Sequence, residues 1–363
     1  MLIVVKVGTS SITYPNGNVN LGRMELLTRE LADVHSAGKE IILTSSGAVG
    51  AGVGRLGCQP PSSLPDKQAM AAVGQGILMH MYEKFFSEYS KTVAQVLLTR
   101  DCFSDPERYL HSRDTLFSLL RFGVIPIINE NDTVAVDELK FGDNDTLSAM
   151  VACCAEADLL IILSDIDGLY DSDPRGNASA RLIPEVSEIT AEMVENSKSK
   201  GGALSSGGMF TKLAAARMTM AAGIPMVIAS SAEANVVRRA SDGELVGTRF
   251  IPSARRHGMR RRWLAAGSAP AGFATVDAGA ADALLHRGKS LLPSGVTRID
   301  GKFGVGDVIG VRDLKGTEIA RGISNYDSAD AAKIAGKRSD GIEAVLGRRD
   351  YDELIHRNNM ALL

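Results

Sequence analysis

The feature that most constrains this chain is a series of short, nearly unbroken aliphatic runs at residues 2–7, 40–44, 93–98, 124–128, 159–163 and 225–229. They are rich in Val, Ile and Leu and do not alternate with polar residues, the pattern of strands buried on both faces. Helical spacing fills the gaps between them. Leu26, Leu27, Leu31 and Val34 lie on one helical face, with Gly38 placed as a stop. Asp105 and Pro106 open another helix as N-cap and first-turn proline, and Gly123 closes it. A third runs from Met209 to Ala222 and ends at Gly223. Strands alternating with helices predict an α/β domain over residues 1–252, a mostly parallel sheet sandwiched between helices.

The remaining residues have another character. Residues 253–270 hold Arg255, Arg256, His257, Arg260, Arg261 and Arg262 among Gly, Ser and Pro, which reads as a basic linker. Residues 271–350 carry short strand patterns at 275–277, 291–296, 307–311 and 318–322 between Gly and Pro turns, predicting a small β-barrel-like domain. Residues 351–363 are expected to form a C-terminal tail.

Composition narrows the function classes. A formal net charge of -3 gives no global pull toward nucleic acid or membrane. The four cysteines, Cys58, Cys102, Cys153 and Cys154, form no CxxC pair and fit neither a disulfide framework nor a zinc ligand set. Cys153 and Cys154 are expected in a helix facing the sheet. The six histidines make no HExxH pattern, so no protein metal site is expected. No basic segment precedes a long apolar stretch at the N-terminus, and no apolar run is long enough to span a bilayer, so a cytoplasmic location is the expectation.

Six loop segments carry the chemistry. Lys6-Val7-Gly8-Thr9-Ser10-Ser11 puts a lysine near the end of a buried strand, then a Gly/hydroxyl loop that can offer N–H groups to phosphate. It is not a Walker A motif. Thr44-Ser45-Ser46-Gly47-Ala48 runs a second strand into a helix start, another anion site in form. Asn129-Glu130-Asn131-Asp132 and Gly142-Asp143-Asn144-Asp145 gather carboxylates and amides that suit an ammonium group, or a mostly hydrated Mg²⁺; helix capping is the plainer role for the second of them. Ser164-Asp165-Ile166-Asp167-Gly168, with Asp173 beyond it, ends a further strand and could hold a base or ribose, although turn chemistry alone would explain it. Ser206-Gly207-Gly208-Met209-Phe210-Thr211-Lys212 brings a third Gly-rich loop and a second lysine.

In order and spacing these motifs resemble the amino-acid kinase family, and within it the glutamate 5-kinases. The segment Ser290-Leu291-Leu292-Pro293-Ser294-Gly295 is similar to the PUA domain that many of their bacterial members carry. The resemblance implies ATP and L-glutamate as substrates, Mg²⁺ as cofactor and γ-glutamyl phosphate as product, in the first step of proline synthesis. It implies Lys6, Lys212 and Asp145 as catalytic residues, Asp145 orienting the two lysines, and Ser46, Asp132 and Asn144 as glutamate ligands. It places Gly8, Ser164, Asp165, Ser206, Gly207, Gly208, Met209, Phe210 and Thr211 with both lysines at the nucleotide. Proline as feedback inhibitor and a homodimer or homotetramer are implied as well. Two positions depart from the family pattern: Ser164 stands where Thr is usual, and Phe210 where a small residue is usual.

The substrate carboxylate is ionised at neutral pH, so no general base is needed, in keeping with the absence of a placed histidine. Two other readings compete. A sister kinase acting on aspartate or N-acetylglutamate would share the lysines, but the tail does not resemble paired ACT domains, and N-acetylglutamate has no free ammonium to match Asp132. An RNA-binding protein on a kinase scaffold would be expected to show a broader basic face than this acidic chain offers.

Overall fold

In the computed structural model the described residues are 1–135, 144–197, 208–252 and 270–363, except residues 173, 175 and 178. They form two compact units. The first holds Met1–Phe103 and the chain from His111 to residue 252; the second holds Ser104–Leu110 and residues 270–363. The linker expected at 253–270 lies outside the described residues up to 269.

The aliphatic runs fold as strands β1 (Leu2–Val7), β2 (Glu40–Ser45), β3 (Val93–Leu98), β4 (Ile125–Glu130), β5 (Leu159–Ser164) and β7 (Met226–Ser230). Short strands β6 (Glu185–Val186) and β8 (Thr248–Phe250) complete an eight-stranded sheet ordered β3-β4-β2-β1-β5-β7-β8-β6. β1 to β5 and β7 run parallel, and only the β7–β8 pairing is antiparallel. All six long strands therefore deliver their following loops to one edge of the sheet. β1, β2, β4 and β5 are buried almost throughout, but β3 is partly exposed because it is the sheet's edge strand.

Successive residues of β1 feed opposite faces. Ile3, Val5 and Val7 join one core with helices α2 (Leu21–Ser36), α3 (Ala48–Leu56) and α4 (Leu64–Ser87). Leu2 and Val4 join the other, with α5 (Pro106–Arg121), α6 (Asn144–Cys154) and α7 (Met209–Ala221). Each such aliphatic side chain contributes about 1.5–3 kcal/mol by leaving water. Lys6 continues the period of Leu2 and Val4, so it faces α6 and α7. Leu26, expected in the core, is 58% exposed, and Met24 occupies the inner face of α2 instead. Cys154 is buried, while Cys153 packs at the margin of the second core.

The second unit has its own five-stranded sheet, ordered β10-β9-β11-β12-β13, from β9 (Gly272–Val276), β10 (Val296–Gly301), β11 (Val308–Arg312), β12 (Glu318–Ile323) and β13 (Met360–Leu362). A separate core around Val276, Leu284, Phe303, Val311 and Tyr326 supports it. Two expectations change here. The stretch 291–296 is not one strand: Leu291 makes an isolated antiparallel bridge to Ile355, Pro293–Gly295 forms a 3-10 turn, and the β10 ladder starts at Val296, because Pro293 has no N–H to give a ladder. The segment 351–363, expected as a tail, supplies β13, which pairs antiparallel with β12.

Candidate active site

The helices of the first unit begin in two ways. α2, α4 and α5 start under side-chain caps from Asn20, Ser63 and Asp105. α3 and α7, and the single turn α1 (Thr9–Ile12), start at Gly47, Gly208 and Gly8, none of which offers a side-chain cap. Their first N–H groups stay available to a ligand, at the positive ends of the helix dipoles. Gly47 also sits at φ 101, a left-handed conformation that a side chain disfavours. Gly8 lies beside the lysine head, a Cβ there standing 3.8 Å from Lys6 Nζ.

Lys6 and Lys212 meet at one carboxylate. Lys6 Nζ lies 2.7 Å from Asp145 Oδ1, and Lys212 Nζ lies 3.1 Å from Asp145 Oδ2. All three side chains are at least nine-tenths buried. Thr211 Oγ1 is 2.8 Å from the same Oδ2 and equally close to the Gly208 carbonyl, with one proton to divide between them. Burial alone would raise the Asp145 pKa, but the two ammonium groups overcome it and hold the carboxyl well below the usual carboxylate range. Lys212 stands in the first turns of α7, where the helix dipole opposes a cation. The two buried ammoniums thus converge on the two oxygens of one ionised carboxylate.

Asn144, one residue earlier on α6, faces other groups. Its Nδ2 is 2.8 Å from Ser46 Oγ, 2.9 Å from Asn129 Oδ1 and 3.2 Å from the Ser45 carbonyl. Asn129 Oδ1 also accepts from the Glu130 amide at 2.9 Å, and Asn129 Nδ2 donates to Gln75 Oε1 at 2.8 Å. Ser45 Oγ shares a 2.8 Å hydrogen bond with the buried Tyr82 hydroxyl. Nearby in sequence, Glu130 and Asp132 are both buried. Burial, and then the Glu130 carboxylate, push the Asp132 carboxyl up to about 7. Asp132 Oδ1 is buried and has no hydrogen-bond partner among the described residues. A carboxylate strained as Asp132 is suits a cation.

The structure thus brings Lys6, Lys212, Asp145 and Thr211 together, and Ser46 together with Asn144. Ser164 ends β5 with its hydroxyl 3.1 Å from the exposed Asp165 carboxylate. Met209 packs beside the second core. Phe210 is 46% exposed and lines a small surface depression with Val194, Leu213, Ala214 and Arg217, apart from the Lys–Asp–Lys contacts. Gly142, Asp143, Asp173, Ser206 and Gly207 lie outside the described residues. Sequence reading missed Gln75 and Tyr82, whose only signal is two polar groups seven residues apart on the buried face of α4. Thr44, named in the second motif, pairs in register with Lys6 and carries a buried hydroxyl with no partner among the described residues.

Comparison with known proteins decides the family. The amino acid kinase family matches residues 1–230, and the PUA domain matches residues 272–346. This chain belongs to the amino acid kinase family. The kinase is 52% identical over 362 residues to the glutamate 5-kinase of Moorella thermoacetica, spanning 99% of this chain and 96% of that protein. It is 50% identical to the glutamate 5-kinase of Caldanaerobacter subterraneus, spanning 100% of this chain and 98% of the other. Among solved structures, carbamate kinase from Giardia lamblia bound to AMP-PNP overlays on 69% of this amino acid kinase and 98% of its own chain, with a TM-score of 0.50 at 20% identity; that likeness concerns the fold alone.

Proposed function

We propose that this amino acid kinase is a glutamate 5-kinase, transferring the γ-phosphoryl group of ATP to the side-chain carboxylate of L-glutamate. The observation that carries the reading is the pairing of Asn144 with Asp145. Adjacent residues at the start of one helix hold a hydroxyl–amide group on one side and two lysines on the other. A substrate with an ammonium at one end and a reacting carboxylate at the other can span the two.

In the reaction a carboxylate oxygen forms a bond to the γ-phosphorus, and the bond from that phosphorus to the β–γ bridging oxygen breaks, its electron pair leaving on ADP. No proton has to move, since the nucleophile is already ionised. The barrier is the approach of two anions, so positioning and charge stabilisation dominate. Lys6 and Lys212 flank the migrating group, and Asp145 keeps both aimed. Ser46, Asn144 and Asp132 hold glutamate, Asp132 through the ammonium. Gly8, Ser164, Asp165, Gly208 and Met209 border the nucleotide, with Ser206 and Gly207 in the same loop. Thr211 serves through Asp145, and Phe210 points outward.

Asp145 is taken up by the lysines, and among the described residues no three His, Cys, Asp or Glu side chains cluster to hold a metal. That donor set fits Mg²⁺ arriving with ATP, held by phosphate oxygens and water, and supplying further charge neutralisation at the phosphates. No helix among the described residues is long and apolar enough to cross a membrane. A cytoplasmic location, assembly as a homodimer or homotetramer, and inhibition by proline complete the proposal.

Coupled ADP-release assays with L-glutamate, L-aspartate and N-acetyl-L-glutamate test it. Glutamate is expected to be turned over far faster than the others. Preference for aspartate or N-acetylglutamate would move the assignment to a sister kinase, and no turnover with any of them would defeat it.

A further inference from the structure

The glutamate side of the site rests on a chain of amides that ends outside it, on α4. Asn129 Nδ2 donates to Gln75 Oε1 at 2.8 Å, which fixes which way the buried Asn129 amide points. Its Oδ1 then faces Asn144 Nδ2 and the Glu130 N–H, both at 2.9 Å. Turned over, the Asn129 amide would present N–H to two N–H donors in a buried place, leaving donors unsatisfied. Asn144 in turn donates to Ser46 Oγ at 2.8 Å. A hydroxyl that accepts there keeps its own hydrogen to give, and no group among the described residues takes it.

Gln75 itself is held by backbone contact. A Cβ on Gly74 would fall 1.7 Å from the Ala48 carbonyl oxygen, and one on Gly52 would fall 2.0 Å from that of Met70. α3 and α4 therefore pack backbone to backbone just where Gln75 leaves its helix. Two turns further along α4, Tyr82 braces Ser45 in the same way, 2.8 Å from its hydroxyl.

We infer that Gln75 is a positioning residue for the amino-acid substrate: its side-chain carbonyl sets the Asn129 amide, and through Asn144 it leaves the Ser46 hydroxyl free to donate to the substrate carboxylate. This rests on the proposed function of the same site. It assigns Gln75 to glutamate binding, apart from the phosphoryl-transfer lysines.

The test is steady-state kinetics on the full chain, with glutamate and ATP varied in turn, for wild type, Gln75→Met and Gln75→Glu. Met matches Gln in length and helix propensity but lacks the accepting oxygen; Glu keeps it. Gln75→Met is expected to raise the glutamate KM about tenfold, the effect of losing one buried hydrogen bond. Its kcat and ATP KM are expected to stay within about threefold of wild type, and Gln75→Glu to recover most of the glutamate affinity. If Gln75→Met loses its cooperative melt, Gln75→Lys, with donors and no acceptor, replaces it under the same expectation. An unchanged glutamate KM, equal rises in both KM values, or a Gln75→Glu as impaired as Gln75→Met would overturn the inference while leaving the kinase reading intact. A wild-type chain that fails to phosphorylate glutamate would instead overturn the reading beneath it.

Discussion

The two halves of the site solve opposite electrostatic problems with neighbouring residues of one helix. Around Asp145 the chain buries two cations on one anion, and the carboxyl is held ionised. Near Asn144 it buries Glu130 and Asp132, and burial together with the Glu130 charge pushes Asp132 toward neutrality. The first half is preorganised for a group that is always strongly anionic. In the second half the strained group is Asp132, whose charge a positive group would stabilise. The contrast teaches that burial alone decides nothing: the same desolvation acts on Asp145 and Asp132, and their partners send them in opposite directions.

The sharpest way to break the comparison is to remove a cation. Lys6→Ala and Lys212→Ala are each expected to cut turnover roughly a hundredfold or more, the usual loss for one preorganised charge-stabilising group. Stopped or coupled ADP-release assays at saturating substrates check this. Near-normal turnover in either variant would remove the lysines from phosphoryl transfer.

A second test separates the halves by pH. The folded pKa of Asp132 is raised, so its contribution to stability is present below the ordinary carboxylate range and is lost as pH rises through about 7. Binding an ammonium needs the ionised form, so below about pH 7 glutamate must displace a proton. Its KM is expected to rise by up to roughly tenfold per pH unit there, for one obligatory proton. Asp145 has the opposite sign: depressed well below the usual range, its contribution is present above that range and lost only as pH falls through it. The ATP KM is therefore expected to stay flat from pH 8 to 6. A flat glutamate KM across that window would place the Asp132 titration outside substrate binding.

The smallest expected effect concerns the second unit. Every residue assigned to chemistry lies between Lys6 and Lys212, so a chain ending at residue 268 is proposed to keep glutamate turnover within about threefold per folded molecule, as for domains with separate cores. A cooperative melt confirms folding in the same sample. Because residues 104–110 group with the second unit, several end points between 253 and 270 are worth comparing. Loss of folding at all of them would make the second unit part of the kinase fold.

Much of this was legible in the sequence, for definite reasons. Unbroken aliphatic runs locate the central strands within one or two residues, because a parallel sheet buried on both faces leaves no room for polar alternation. Lysines beside Gly-rich loops point to an anion site because few structural roles need both. What stayed hidden depends on direction. Nothing in the spacing says that Thr211 faces Asp145, that Gln75 turns the Asn129 amide, or that Met24 and not Leu26 faces inward. Those outcomes follow from helix rotation and from hydrogen bonds between residues distant in sequence, 66 positions for Thr211 and Asp145 and 54 for Asn129 and Gln75. The strand at 360–362 was missed because three residues carry no period, and only the edge of β12 calls them into pairing.

The most direct test of the division into a cationic phosphoryl half and an anionic ammonium half compares L-glutamate with glutarate, which lacks the amino group, in wild type and Asp132→Ala. Wild type is expected to favour glutamate by roughly tenfold to a hundredfold in kcat/KM, the worth of one buried charge-assisted hydrogen bond. In Asp132→Ala that preference is expected to collapse toward unity through a rise in glutamate KM, with the ATP KM unchanged. A preference that survives the substitution, or an equal rise in both KM values, would contradict the account and return Asp132 to a structural or metal-linked role.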